Sequence, residues 1–312
     1  MKVMRFFQWG AGSASLRAHN RMCHAGALSL ALLLAAASHA QALQSGDFLY
    51  STNAVGEASI TGYAGAGGDL VIPPTLNGAS VVDIAKDAFC WKPLTSVRMA
   101  GSITNIGQNA FIGCASLTNA VIGNGVKKIG VDAFGSCYNL SCVVIPEGVV
   151  TLGEGCFAAL HRLTSISFPS SVLSIEKNAF YSCTNLTGVA LGSGLTNVNC
   201  YAFYCCPRLE TISVHADNPV FCSDNGVLFN KDRTEVLICP EGKTGCVLPE
   251  GVTRIGLLAF KRCEKLASVT LPASVTNIGD YALCNCSLLK EVIFQGNLPA
   301  AGTGVFGSSP DV

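Results

Sequence analysis

Apolar and polar residues follow one repeated order along most of this chain. An A-F-x-x-C segment recurs and is followed each time by L-x-x-V-x-L, as in residues 178–191. The second motif alternates apolar and other positions, which is typical of a short strand with one buried face. The first motif spaces its apolar residues by three, which we interpret as a short helical turn on the opposite wall. A V-x-x-I-G segment closes several units, as at residues 126–130, 252–256 and 275–279.

The period of this pattern is set by a column of phenylalanines. Successive members are separated by 22, 23, 23, 23, 23, 57 and 23 residues. The column comprises Phe89, Phe111, Phe134, Phe157, Phe180, Phe203, Phe260 and finally Leu283. A unit of this length cannot bury its apolar face alone, whereas stacked units can, and their strands then form one parallel sheet. We therefore predict a β-rich solenoid, β plus short helical turns, of about eight 23-residue repeats.

Cysteine follows most of these phenylalanines by three residues, and leucine follows by six. Such a column of cysteines is expected to lie in the core, because neighbouring side chains in a parallel stack point the same way and a disulfide needs convergent ones. The predicted repeat core includes Phe111, Cys114, Phe134, Cys137, Phe180, Cys183, Phe203, Cys206, Phe260 and Cys263.

Two segments depart from the period and define the expected organisation. Residues 41–86 are irregular and are interpreted as an N-terminal cap with a first half-repeat, followed by repeats over 87–214. Residues 215–246 contain Asn225-Gly226 between apolar runs, which is a strong hairpin signal, so we predict a β-hairpin insertion there. Repeats resume over 247–312, where the C-terminal end looks incomplete.

The first 40 residues have the features of a signal peptide. A basic segment precedes an apolar run at residues 25–37, and small residues follow. That run is too short for a membrane span, which needs about 20 residues, and no later stretch is apolar enough. Without these residues the chain has 16 basic and 20 acidic side chains, a net charge of −4. We therefore expect export, and we exclude nucleic acid as a partner because it requires a basic surface.

Candidate chemistry outside the cysteine column is sparse. The off-column cysteines are better disulfide candidates, and Cys222 with Cys239 or Cys246 is the pair favoured first. Cys156 and His161 are five residues apart, but packing explains the cysteine and surface exposure the histidine better than a nucleophile and base do. The cysteine spacings do not match a zinc site.

The acidic and amide residues of the insertion do not have the spacing of a calcium loop, and they fit turns better. These residues are Asp217, Asp224, Asn225 and Asp232. The sequence therefore predicts no enzyme, cofactor or metal site.

The full pattern L-x-x-V-x-I-P-x-x-V-x-x-I-G-x-x-A-F-x-x-C, over about residues 80–295, resembles the BspA-like leucine-rich repeats of bacterial and protist surface proteins. The insertion over residues 217–243 is also similar to that family. The resemblance implies a leucine-rich-repeat solenoid in a secreted or cell-surface protein that binds host proteins or other cells. It implies no catalytic residues.

Alternate residues of each predicted strand are expected to face outward on a concave sheet, and they are the candidate interaction face. They are Asn119, Val121, Cys142, Val144, Ser165, Ser167, Gly188, Ala190, Thr211 and Ser213. Phe221 and Phe229 in the insertion are a second candidate contact site. Expected partners are a protein, such as a host extracellular-matrix or other-cell surface protein, or a glycan. Two alternatives stay open: the face is simply a solvated sheet, or the chain is a structural module of a larger envelope or secreted protein.

Overall fold

A computed structural model describes residues 42–309, which form strands and turns without a helix. The first strands are β1 (Leu43–Ser45), β2 (Phe48–Thr52), β3 (Ala58–Tyr63), β4 (Gly68–Val71), β5 (Thr75–Leu76) and β6 (Ala79–Ile84). There follow β7 (Leu94–Arg98), β8 (Asn105–Ile106), β9 (Asn119–Val121), β10 (Lys128–Ile129), β11 (Cys142–Val144), β12 (Thr151–Leu152), β13 (Ser165–Ser167), β14 (Ser174–Ile175), β15 (Gly188–Leu191), β16 (Asn197–Val198) and β17 (Thr211–Val214). The last are β18 (Phe221–Asp224), β19 (Val227–Asn230), β20 (Glu235–Ile238), β21 (Cys246–Val247), β22 (Arg254–Ile255), β23 (Ser268–Leu271), β24 (Asn277–Ile278), β25 (Glu291–Phe294) and β26 (Ala300–Ala301).

The predicted signal peptide at residues 1–40 lies outside the described residues. Within residues 42–309, no helix has the length and hydrophobicity that crossing a bilayer requires.

Two parallel ladders run along the stack, as expected for a solenoid. The L-x-x-V-x-L motifs form the long-strand ladder, which comprises β4-β7-β9-β11, then β13-β15-β17, then β21-β23-β25. The V-x-x-I-G motifs form the short-strand ladder, which runs from β6 through β8, β10, β12 and β14 to β16 and resumes from β20 through β22 and β24 to β26. The array has about 11 turns, more than the eight repeats predicted, because the cap, the insertion and the C-terminal segment each contribute to the stack.

The A-F-x-x-C segments form tight turns, so the predicted short helical turns are wrong. The N–H of Ile112 donates to the carbonyl of Asn109 within the turn at 3.1 Å. The N–H of Phe111 instead donates to Ala133 of the next turn, at 2.7 Å. Asn109 has a φ of 56°, in the left-handed region that a helix cannot use, and it donates to Val131 of the next turn. Bonds within a turn thus alternate with bonds between turns.

The phenylalanine column forms a stack of rings inside the array. Neighbouring ring centroids are 4.9 Å apart at Phe89–Phe111 and 5.6 Å apart at Phe180–Phe203. The rings from Phe89 to Phe180 are fully buried. The stack stops at Phe203 because the insertion follows, and a second apolar core begins there and includes Phe260. The buried core is therefore divided into two clusters at the insertion.

The cysteine column lies beside the rings, and its thiols bond to the backbone. The Sγ of Cys137 donates to the carbonyl of Phe111 in the preceding turn at 3.2 Å, and that carbonyl also accepts the N–H of Cys114. The same thiol bond to the preceding phenylalanine, 3.1 to 3.3 Å long, is made by Cys114, Cys183, Cys206 and Cys286. Thiols are weak donors, but here each one satisfies a buried carbonyl.

The predicted β-hairpin insertion is confirmed. β18 and β19 pair antiparallel, and Asn225 and Gly226 between them have φ values of 47° and 79°, the left-handed values that a type I′ turn needs. β20 then pairs with β19 on one side and with β22 on the other, which returns the chain to the short-strand ladder.

A fully buried Asn218 fixes the start of this insertion. Its amide nitrogen donates to the carbonyls of Gly192 and Leu195, each at 2.9 Å. Its amide oxygen accepts the N–H groups of Val220 and Phe221, at 2.9 and 2.8 Å. The amide nitrogen and the amide oxygen of Asn218 thus each take part in two hydrogen bonds, as a buried polar side chain requires. The two bonds from the nitrogen hold the insertion to the preceding repeat.

The C-terminal segment adds one more turn beyond Leu283, the last residue assigned to the column. The N–H of Leu283 donates to Val305 at 2.9 Å, which places Phe306 in the next column position. β26 extends the short-strand ladder in the same turn.

Candidate interaction surface

The outer side of the long-strand ladder carries the residues predicted as an interaction face. Eight of the ten are exposed in the structure, and Gly188 and Ala190 are half-buried. Pairing of β9 with β11 sets Asn119 beside Cys142 and Val121 beside Val144. We call this outer side the strand face.

The strand face is interrupted between β11 and β13. β11 pairs only with β9, and β13 pairs only with β15. The short strands of the same two turns remain paired, with Thr151 opposite Ser174. The two turns are therefore joined along the short-strand ladder and open along the long-strand ladder.

Backbone hydrogen bonds mark the same break. On either side of it, the N–H of Thr118 donates to Thr95 at 2.9 Å, and that of Thr187 donates to Thr164 at 2.8 Å. No equivalent bond joins Thr164 to Ser141 in the part of the chain that the structure describes. The backbone groups that face the break are therefore not bonded across it, although β11 and β13 still approach within 8 Å, which is too close for a further strand to lie between them.

An open cleft of about 750 Å³ extends over the strand face from β11 to β17 and includes this break. Its lining includes eight of the ten predicted face residues, which the structure thus brings together: Cys142, Val144, Ser165, Ser167, Gly188, Ala190, Thr211 and Ser213. Asn119 and Val121 lie on the strand face but outside the lining. Val144 at the cleft is 68% exposed, a large value for a valine.

Phe168 gives a physical reason for the break. It occupies the position that the neighbouring turns fill with Ile145 and Leu191, and it is buried. Its ring packs edge-on against Phe180, with centroids 5.6 Å apart. Phe294 fills the same position in β25, which still pairs with β23, so ring size alone does not open the ladder. We infer that the edge-on contact with Phe180 is what holds the two long strands apart.

The cleft has an apolar floor and a rim of hydroxyl groups. The inward residues Val143, Ile166 and Val189 form part of the floor, and the rim consists of small residues. None of the described residues that line the cleft carries a charge. The cleft therefore suits a neutral partner that supplies backbone hydrogen bonds and small apolar side chains.

The insertion does not provide the contacts predicted for it. Phe221 is 7% exposed and Phe229 is 1% exposed, because both pack into the apolar core. The sequence of the hairpin showed two aromatic side chains, but it did not show which face of the hairpin would pack against the core. The prediction of these two residues as contacts is wrong.

The cysteine pairing favoured from the sequence is absent as well. Apart from Cys90, the cysteines of residues 42–309 form no disulfide in the structure, and these include Cys222, Cys239 and Cys246. The Sγ of Cys222 donates to the carbonyl of Asn230 at 3.1 Å, away from the cysteines that it was expected to join. Cys239 instead contacts Cys246 and Cys263.

The pair of Cys156 and His161, weighed above from the sequence, does not form a site in the structure. Cys156 is fully buried, and burial raises the pKa of its thiol. His161 stacks on Tyr138, with ring centroids 5.0 Å apart. The described residues also contain no cluster of three or more potential metal ligands.

A buried carboxyl group, which the sequence did not reveal, lies where the two halves of the array meet. Glu241 is 7% exposed, and its Oε1 accepts the N–H of Cys205 at 2.9 Å. In a regular turn that N–H would donate to a backbone carbonyl, as Ser182 does to Tyr204. Burial raises the pKa of Glu241 to about 7, although the Cys205 N–H and the nearby Arg262 guanidinium favour the charged form.

The chain matches a family model described as the BspA type leucine rich repeat region, in six copies over residues 82–210 and 243–311. It is also similar to a leucine-rich cell surface protein from Faecalibacterium prausnitzii A2-165 of known crystal structure. The two are 30% identical, the match covers 87% of this chain and 81% of that one, and the TM-score is 0.64.

Two more distant structures share the fold. The pneumococcal vaccine antigen PcpA is 17% identical with a TM-score of 0.64, over 88% of this chain and 80% of that one. A leucine-rich repeat protein from Bacteroides ovatus is 21% identical with a TM-score of 0.58, over 86% and 80%. Comparison with curated proteins gave no match.

Proposed function

Because this chain belongs to the BspA type of leucine-rich repeat proteins, we propose that it is a non-catalytic surface or secreted protein that binds another protein at the cleft of the strand face. The observation that carries the proposal is the uncharged, partly apolar cleft of the strand face, which includes the break between β11 and β13 where backbone groups are not bonded from one long strand to the next. The predicted partners are host extracellular-matrix proteins or surface proteins of other cells.

The lining favours a polypeptide over a glycan. A polypeptide can hydrogen-bond through its backbone to N–H and C=O groups left unpaired on a rigid surface, while small pockets accept its side chains. The cleft offers both features. Its one aromatic lining residue, Phe168, is buried and turned toward Phe180, so it gives a sugar ring no exposed stacking surface.

Export supports the same function. The leader over residues 1–40 has the charge and hydrophobicity of a signal peptide, and the Faecalibacterium relative is described as a cell surface protein. Cell fractionation with an antibody to the chain tests this part. Recovery in the envelope or the medium is expected, and recovery only inside the cell would contradict it.

A matched pair of variants tests the binding site. Ser165 in the cleft and Ser268 on β23 occupy equivalent positions of the long strands, and both are exposed. The full chain is immobilised and screened against matrix proteins, then against surface extracts of neighbouring cells. Ser165→Arg is expected to lower binding at least tenfold, because the charge blocks the neutral cleft, whereas Ser268→Arg should bind like the wild type.

Three outcomes would count against the proposal. These are no binding to any protein, equal losses in the two variants, and binding only to purified glycans. Circular dichroism of each variant confirms that the fold is kept.

A further inference from the structure

A cysteine takes the place of a phenylalanine in the turn that follows the hairpin. The N–H of Cys239 donates to the carbonyl of Ala259 at 2.6 Å. This is the stacking bond that each column phenylalanine makes to the next turn, as Phe180 does to Ala202 at 2.8 Å. Cys239 therefore occupies the backbone position of a column phenylalanine, with a small thiol where the other turns have a ring.

A second cysteine takes the place of an inward residue on the opposite wall. β21 pairs with β23 so that Cys246 lies opposite Val269. In the regular turns this inward position follows the phenylalanine by nine residues, as from Phe260 to Val269, but here the separation is seven. The turn is shorter, and two small thiols replace a ring and a branched side chain.

The two thiols lie on facing walls of this narrowed turn, close enough to interact. Cys239 is buried, whereas Cys246 is half-buried and can be reached from solvent. Cys263 in the next turn also contacts Cys239, but its Sγ points at the carbonyls of Cys239 and Pro240, 3.7 Å from each. Cys222 bonds elsewhere and Cys263 is buried, so among these cysteines Cys246 is the partner of Cys239 that an oxidant in solution can reach.

We infer that Cys239 and Cys246 form a disulfide that ties the two walls of the array together where the phenylalanine column is interrupted. The co-reactant is a small-molecule disulfide such as oxidised glutathione. The Cys246 thiolate attacks it, a mixed disulfide forms and one thiol leaves; the Cys239 thiolate then attacks the sulfur of Cys246 and displaces the second. One S–S bond of the oxidant is exchanged for one in the protein, and the two protons of the cysteines end on the released thiols.

Trypsin digestion of the full chain gives a direct test. The folded protein is equilibrated with oxidised and reduced glutathione, and its free thiols are then alkylated in denaturant. Cleavage after Lys243 separates the two cysteines, one on the peptide 234–243 and the other on 244–254. The inference expects these two peptides to be joined in mass spectra before reduction and separate after it.

Other outcomes are distinguishable because the neighbouring cysteines lie on other peptides. Cys222 belongs to residues 209–231 and Cys263 to residues 263–265. Alkylation of both Cys239 and Cys246, or a link from either to one of these peptides, would overturn the inference. Cys222→Ser serves as the control and should keep the linked pair.

A stability measurement gives a second readout. Reduction is expected to lower the midpoint of thermal unfolding of the wild type and of Cys222→Ser by several degrees, and to leave Cys246→Ser unchanged. An equal shift in all three proteins would show that the stabilising bond lies elsewhere.

Discussion

The buried Glu241 carboxyl should make this protein more stable in mild acid than at neutral pH. Its pKa rises from 4.5 to about 7 on folding, chiefly because burial disfavours the charged form. Between these values the native state binds more protons than the unfolded state. The free energy of unfolding therefore decreases as the pH rises from 4.5 through 7 and is highest, as far as this group is concerned, below 4.5.

The size of the effect follows from the same shift. Each unit of pKa difference corresponds to about 1.4 kcal/mol, so the contribution of Glu241 to the free energy of unfolding changes by at most about 3.5 kcal/mol between its two pKa values. Replacement by glutamine removes the titration and keeps a carbonyl that can accept the Cys205 N–H. We therefore expect Glu241→Gln to gain stability relative to the wild type at pH 8 and to show little difference at pH 5.

The measurement is urea unfolding of the full chain at pH 5 and pH 8, followed by circular dichroism. Glu250→Gln is the matched control, because Glu250 is exposed in the same part of the array. Other groups also titrate over this range, so the quantity to compare at each pH is the difference in the free energy of unfolding between wild type and variant. The reasoning fails if Glu241→Gln and Glu250→Gln show the same pH dependence as the wild type.

Three further predictions concern packing. Phe168→Leu should let β11 and β13 pair, which would slow amide hydrogen exchange in β13; unchanged exchange would rule out the ring as the cause of the cleft. Phe180→Ala should cost about 3–5 kcal/mol in chemical unfolding, because it removes a buried ring, whereas Tyr138→Ala at a partly exposed site should cost much less. Comparable losses in these two variants would contradict the assigned core. Asn218→Ala should cost about 2–4 kcal/mol, because it leaves buried backbone groups without partners. Limited proteolysis at residues 230–234 should then become faster, and an unaltered cleavage rate would count against its role as an anchor.

The repeat architecture was predictable because every turn sets the same residue type in the same place. Phe111 and Phe134 are chemically alike, and each packs on the next, so the period of the sequence is the period of the structure. The hairpin was predictable for a local reason, since Asn225-Gly226 determines its own turn. In both cases the information lies within a few residues or is repeated many times.

The helical turns were misassigned because a spacing of three fits a helix and also fits a chain of tight turns. The missed signal was the residue two positions before each phenylalanine. Asn109, Asp132, Gly155 and Asn178 all have positive φ, and these residue types tolerate it best. A column rich in Asn, Asp and Gly is unusual for a helix and common in turns.

The cleft and the buried carboxyl could not be predicted from local sequence. The cleft depends on how Phe168 packs against Phe180 in the next turn, and its sequence motif looks like that of any other repeat. Glu241 meets Cys205 across 36 positions of chain, and the sequence Pro240-Glu241-Gly242 reads as an ordinary exposed turn. The cleft and the buried carboxyl both arise from contacts between turns that are not alike. A repeat pattern describes only what the turns have in common, so it does not predict these contacts.

The division of the apolar core at the hairpin bears on how the array would respond to a pulling force. Force applied to the C-terminal end would detach turns one at a time, since each turn is held mainly by its neighbours. Loss of the second core would bring the detachment to the hairpin, where the two hydrogen bonds from Asn218 to Gly192 and Leu195 hold the insertion to the preceding repeat. The cleft lies on the N-terminal side of that point, so it could keep a bound partner while the C-terminal turns extend. A protein attached to a surface would then gain length under load without releasing what it binds.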